Sequence, residues 1–142
     1  MVKEILVGGL LSIQSYWDLR YKEIPSMISI IAGIVGICLW KNGERNIAEI
    51  ICSFIPGIVC LACGKISREA IGYGDGILLC ILGIYYTLEK LMEICLIAIS
   101  AAGLWGLALL ILFHKKGKYE IPFVPFLLFG WIIQIIGTSG GI

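Results

Sequence analysis

Six charge-free runs divide the chain: Ile5 to Trp17, Ile24 to Trp40, Ile50 to Gly64, Gly76 to Leu88, Ile94 to Phe113 and Ile121 to Ile142. Charged residues gather in short clusters between them, so polar positions mark the ends of elements. A segment surrounded by lipid must satisfy its backbone groups internally, and the alternating ten-residue segments of a membrane barrel are missing. The pattern therefore predicts an all-α, polytopic membrane helix bundle of about six transmembrane helices. A perpendicular crossing takes about 20 residues, and the last two runs reach that length unaided. The other four must extend through flanking charged residues whose long side chains reach back to the interface.

Composition agrees. Of 142 residues, 59% are hydrophobic and 15% charged, too few polar groups to cover a water-soluble domain. Eleven Lys and Arg against ten Asp and Glu leave no basic footprint for nucleic acid, so membrane lipid is the expected surrounding. The first run lacks a small-residue cleavage site and is followed by similar runs, so it reads as a retained span. Residues 1–142 are accordingly expected to form a single membrane-embedded domain.

All six cysteines lie in or beside apolar runs. Cys60 and Cys63 form C-x-x-C, but a zinc or redox site needs thiolates, which hydrocarbon disfavours. They are read as packing residues, and neither metal nor cofactor is expected. Small residues at helical spacing, Gly33 with Gly36, Ala102 with Gly106 and Ser100 with Gly103, predict close helix approach. Pro56-Gly57 predicts a kink in the third helix.

The loops after the first, third and fifth spans carry Arg20, Lys22, Lys65, Arg68, Lys115, Lys116 and Lys118, and the opposite side carries Lys3, Lys41, Arg45 and Lys90. The richer side is expected to be cytoplasmic. Asp18, Asp75 and the segment from Pro122 to Phe126 all fall on it.

Two carboxylates brought to one membrane face by separate spans suit an aspartyl protease. One must be ionised to activate water while the other stays protonated to polarise the scissile carbonyl, and proximity enforces that split. Asp75 opens a helix, where the dipole favours the anion, and is the expected base. Asp18 closes a helix and is the expected acid, although Arg20 and Lys22 act the other way. Gly72 and Gly74 are expected to supply backbone angles closed to other residues and room for a substrate backbone. Taken alone, G-x-G-D is also an ordinary helix cap.

Asp18-Leu19-Arg20 followed by Ile24-Pro25, then Gly72-Tyr73-Gly74-Asp75, then Ile121-Pro122-Phe123-Val124-Pro125-Phe126 resemble, in order, the three motifs of the type IV prepilin peptidase family. The resemblance covers nearly the whole chain. It implies that Asp18 and Asp75 are the catalytic pair and that no metal is used. The implied partner is a prepilin or pseudopilin, cut after the glycine preceding its hydrophobic segment. The implied location is the cytoplasmic membrane of a prokaryote, as a multi-pass protein with its site facing the cytoplasm. Ser26 stands where the family usually has Asn, and Ile77 where it commonly has Lys. The N-terminal segment that larger members use for methylation has no counterpart, which implies a peptidase-only form.

Pro122 and Pro125 are expected to hold off helix formation until about Phe126. Phe123 and Phe126 would then anchor at the interface, beside a substrate groove. Gln14, one turn before Asp18, either bonds its carboxylate or bonds between helices, and Gln134 bonds between helices. His114 is assigned no role. Arg68 and Glu69 pair with each other or with a charged leader, in a loop from Gly64 to Gly74 suited to motion. The competing reading is a non-enzymatic scaffold or transporter subunit whose aspartates bind partners or protons.

Overall fold

The structure is a computed structural model and describes residues 2–22, 24–40, 45–66, 72–113 and 121–140. The described elements are all helices: α1 Val2–Tyr21, α2 Ser26–Trp40, α3 Ile47–Ser53, α4 Ile55–Ile66, α5 Tyr73–Tyr85, α6 Leu88–Phe113 and α7 Val124–Ser139. The chain is an all-α bundle. Because α3 and α4 continue one another, six helical units answer to the six apolar runs.

Their boundaries differ from the runs in instructive ways. Helix α6 starts at Leu88, six positions before the fifth run, and takes in Glu89, Lys90 and Glu93. These three are exposed, while Leu91, Ile94, Cys95 and Ala98 are buried. Charges on the outward face of a first turn do not interrupt a helix whose apolar stripe is intact. Among the described residues, Ile47–Ile66 and Leu88–Leu112 are long and apolar enough to cross a membrane by themselves. The last run, expected to be long enough, is helical from Val124 to Ser139 within the described residues.

The kink expected at Pro56-Gly57 is present as a break at Phe54. Proline at position 56 has no N–H and its ring collides with the carbonyl four residues back. The chain tightens there, with Phe54 N–H bonding the Ile51 carbonyl at 3.2 Å. Arg45 organises this break. Its Nη2 donates to Ser53 Oγ at 3.0 Å, and Ser53 Oγ donates to the Glu49 carbonyl at 2.8 Å. Its Nη1 donates to the Ile84 carbonyl at 3.0 Å, satisfying an end of α5 that has no helical partner.

Helix α5 is the centre of the bundle, touching α1, α2, α3, α4 and α6. Its buried residues, Gly76, Leu78, Leu79, Ile81, Leu82, Gly83 and Tyr85, occur on every side, as expected of a helix enclosed by others. The closest seam is against α3 and α4. A Cβ on Gly57 would lie 2.4 Å from Cys80 Sγ, and one on Gly83 would lie 2.4 Å from the Ser53 carbonyl oxygen. Helix α2 receives α5 at Gly33 and Gly36, where a Cβ on Gly36 would lie 2.9 Å from the Tyr85 ring. The other small pairs behave differently. Gly103 has nothing within 4 Å, and Gly106 meets Ile121 rather than a helix. Lipid-facing small residues need no partner inside the chain, so the spacing over-predicted contacts on α6.

Far from the charged loops, Tyr86 Oη donates to Glu4 and accepts Trp131 Nε1–H at 2.7 Å, with Lys3 Nζ 4.6 Å above its ring. One hydroxyl thus ties the start of α1, the α5–α6 turn and α7. Tyr86→Phe leaves the Trp131 donor and the Glu4 carboxylate without this partner. We expect it to lower stability by about 1–2 kcal/mol, measured as a shift in the unfolding midpoint in detergent. An unchanged midpoint would show that the tie is not structural.

Candidate active site

Helix α1 carries Asp18 on the same face as Val7, Leu11 and Gln14, which turns its carboxylate inward; the residue is only 7% exposed. The chain leaves α1 through Lys22, at φ 52°, and turns at Ile24-Pro25, where the Pro25 carbonyl starts α2. Asp75 sits in the first turn of α5, its N–H bonded to the Gly72 carbonyl at 3.1 Å. The contact between Gly74 and Ile24 brings the two motifs together and leaves Asp75 within electrostatic reach of Asp18.

The third motif closes on the first. Val124 begins α7 and Pro125 occupies its first turn, so the helix starts two residues before the expected limit. Proline is tolerated there because the first-turn N–H groups have no helical acceptor anyway. One of those N–H groups, that of Val124, donates to Asp18 Oδ2 at 3.0 Å across 106 residues of sequence. Asp18 therefore caps α7 from another helix. The expected charge assignment followed from helix ends within α1 and α5. It took no account of α7, whose N-terminus faces Asp18, the site where an anion is best placed.

The glycines of the second motif serve packing rather than conformation. Gly72 has φ −63° and ψ 129°, ordinary extended backbone, and Gly74 lies inside the helix. A Cβ on Gly74 would stand 2.7 Å from Ile24 Cβ, so this glycine lets the first and second motifs touch. A Cβ on Gly72 would stand 3.2 Å from Asp75 Oδ2, so this one leaves room beside the carboxylate.

The remaining motif residues divide. Pro25 is partly buried at the start of α2. Pro125 and Phe126 line an open apolar groove of about 500 Å³ with Phe129, Ala101, Leu104 and Trp105. Phe123, at the cap of α7, and Phe126, in its first turn, pack partly buried against the core. Pro122 is partly buried but outside that groove. Arg20 is exposed on the outer face of α1, where Nη1 donates to Tyr16 Oη at 2.9 Å. Cys60, a free thiol, is partly buried, and Cys63 is exposed. Gln14 bonds Ser29 on α2 rather than Asp18. Gln134 is buried without a side-chain hydrogen bond among the described residues, against the interhelical bond expected of it. Arg68, Glu69 and His114 lie outside the described residues, as does most of the loop between Gly64 and Gly74.

Comparison with known proteins adds one finding. Residues 5–107 match the model of the type IV leader peptidase family, a stretch that includes both aspartates. No curated protein and no solved structure matches the chain.

Proposed function

Because the chain belongs to the type IV leader peptidase family, we propose that it is a membrane aspartyl endopeptidase that removes the leader of a prepilin-like protein, with Asp18 and Asp75 as its catalytic pair. The observation that supports this reading is two carboxylates from different helices within electrostatic reach of each other, one of them buried and held by the N–H that opens α7. In the proposed mechanism Asp18, which accepts that N–H, is the ionised partner and takes a proton from water. Asp75 keeps its proton and donates a hydrogen bond to the scissile carbonyl oxygen. The water oxygen bonds to the carbonyl carbon, the C–N bond breaks, and the proton held by Asp18 passes to the leaving nitrogen. No covalent enzyme intermediate forms.

The open groove beside Pro125 and Phe126 has the apolar lining that a substrate's hydrophobic segment requires, and it begins next to the residue bonded to Asp18. The excess of Lys and Arg near this end supports a cytoplasmic site and a multi-pass, six-crossing arrangement of one membrane-embedded domain.

The test is incubation of the purified chain in detergent with a prepilin that retains its leader, followed by mass. Loss of the leader is expected, and an intact prepilin under all conditions would count against the reading. Within that assay Gly74→Ala probes the contact between motifs. The new methyl must push Ile24 and Asp75 apart by somewhat less than about 1 Å, a displacement that costs tenfold to about a hundredfold in rate. Cleavage within twofold of the native rate would show that this approach does not set the geometry.

A further inference from the structure

The last turn of α1 carries a second arrangement, on the side of the helix that the proposed reaction does not use. Tyr16, Trp17, Arg20 and Tyr21 are all exposed there. Arg20 Nη1 donates to Tyr16 Oη at 2.9 Å, and the guanidinium carbon stands 5.7 Å from the centre of the Tyr21 ring. That ring in turn lies 4.9 Å from the ring of Trp17. The rest of the guanidinium is open. One of its five N–H groups goes to Tyr16, and no acidic side chain pairs with it among the described residues. At about 100° per residue, Tyr16 and Arg20 lie about 160° around α1 from Asp18, which is buried in the bundle. A peptide held at the aspartates is thus on the other side of the helix. The outward face runs from Arg20 and Tyr16 back to Ile13 and Ile5, both exposed, so it is apolar up to its aromatic end.

An arginine at the end of a lipid-facing stripe keeps its charge and needs an anion at the level where aromatic rings gather, that of the headgroups. The anion that offers two oxygens at guanidinium spacing there is a phosphodiester. Tyr16 and Tyr21 hold the fork before any ligand arrives, so less side-chain freedom is lost on binding than for an unsupported surface cation. We infer that Tyr16, Arg20 and Tyr21 form a binding site for the phosphodiester of a membrane phospholipid, with Trp17 stacked beside it. Lipid and peptide are then held on opposite sides of one helix. The site follows from the outer face of α1 and stands whether or not Asp18 is catalytic.

The test titrates the purified chain, in an uncharged maltoside detergent, with three probes: phosphatidylglycerol, digalactosyldiacylglycerol, which is a bilayer lipid without phosphate, and inorganic phosphate. Bound lipid is counted by native mass spectrometry and the thermal midpoint is followed alongside. Phosphatidylglycerol is expected to give a saturable adduct and to raise the midpoint, and the other two to do neither at the same concentration. Arg20→Gln is expected to weaken that binding about fivefold or more. Tyr16→Phe, which releases the guanidinium but keeps its charge, is expected to weaken it by a smaller factor, and it carries the comparison should Arg20→Gln not accumulate. Lys90→Gln removes an exposed cation on α6 and is expected to leave affinity within twofold of native. Native affinity in Arg20→Gln, or in Tyr16→Phe where that variant stands in for it, overturns the inference. An equal loss in Lys90→Gln also overturns it, because surface charge in general is then responsible. So does an equal response to the galactolipid, which means apolar contact alone, or to inorganic phosphate, which means a free-anion site. Arg20→Gln that binds lipid as the native chain does but raises KM for a prepilin assigns the arginine to the peptide instead, and the lipid site fails.

Discussion

Asp18→Asn and Asp75→Asn are each expected to slow leader removal by about 10³-fold or more, at native membrane levels. General acid and base groups are worth about 10² to 10⁴ each, and here each carboxylate has a separate task that the other cannot take over. Asparagine preserves shape and keeps one acceptor oxygen, so Val124 N–H retains a partner at position 18 and α7 keeps its cap. The loss should therefore appear in single-turnover rate rather than in folding. The double variant is the sharper measurement. Residues that act as a unit are strongly non-additive, so Asp18→Asn with Asp75→Asn together should be little slower than the worse single variant. Multiplied losses would mean that the two carboxylates work in separate steps. Residual cleavage within tenfold of native for either single variant would remove it from the chemistry.

The second large effect concerns stability. Gly57→Ala and Gly83→Ala should each destabilise the bundle by about 3 kcal/mol, the upper part of the usual overpacking range. At Gly57 the added methyl would meet not only Cys80 Sγ but also the Cys80 backbone nitrogen, at 2.6 Å, and at Gly83 it would meet the Ser53 carbonyl oxygen. Neither neighbour can rotate away, so α5 must separate from α3 and α4. Gly103→Ala is the control, since its Cβ would enter open space and a better helix former should be neutral or slightly stabilising. Unfolding midpoints in a denaturing detergent titration would rank the three. If Gly103→Ala proved as costly as Gly57→Ala, intrinsic backbone effects rather than the seam would be responsible.

These two effects differ in how far they can be read from the residues themselves. The aspartates are visible because charge is scarce in an apolar chain, and because alternate spans return to the same side. Their partner is not visible: the bond from Val124 to Asp18 joins distant positions, and the local signal, a proline pair, pointed to a blocked helix. Gly72 and Gly74 stood out as glycines, but their usual conformational explanation concealed a steric one that depends on Ile24. Arg45 looked like a loop charge, although it binds both the break after Ser53 and the end of α5. Small residues on α2 and α6 have the same spacing, yet α2 meets α5 while much of α6 faces outward. Periodicity reports which residues share a face. It does not report what, if anything, stands opposite.

Helix lengths carry a consequence for the surrounding lipid. At about 1.5 Å per residue, α5 rises only about 20 Å, α2 about 23 Å and α7 about 24 Å, whereas α6 rises about 39 Å. A hydrocarbon layer is about 30 Å thick. In the proposed multi-pass arrangement tilting shortens the reach of α6 but cannot lengthen its neighbours, so the bilayer is expected to draw in around α2, α5 and α7. Gly130 fixes the register of α7 on Ile94 and Ala98, which sets Val124 opposite the middle of α6. Judged by α6 alone, the aspartates would lie deep in hydrocarbon. On the short-helix side, a leaflet drawn in this way would bring the headgroups and their water down to meet them.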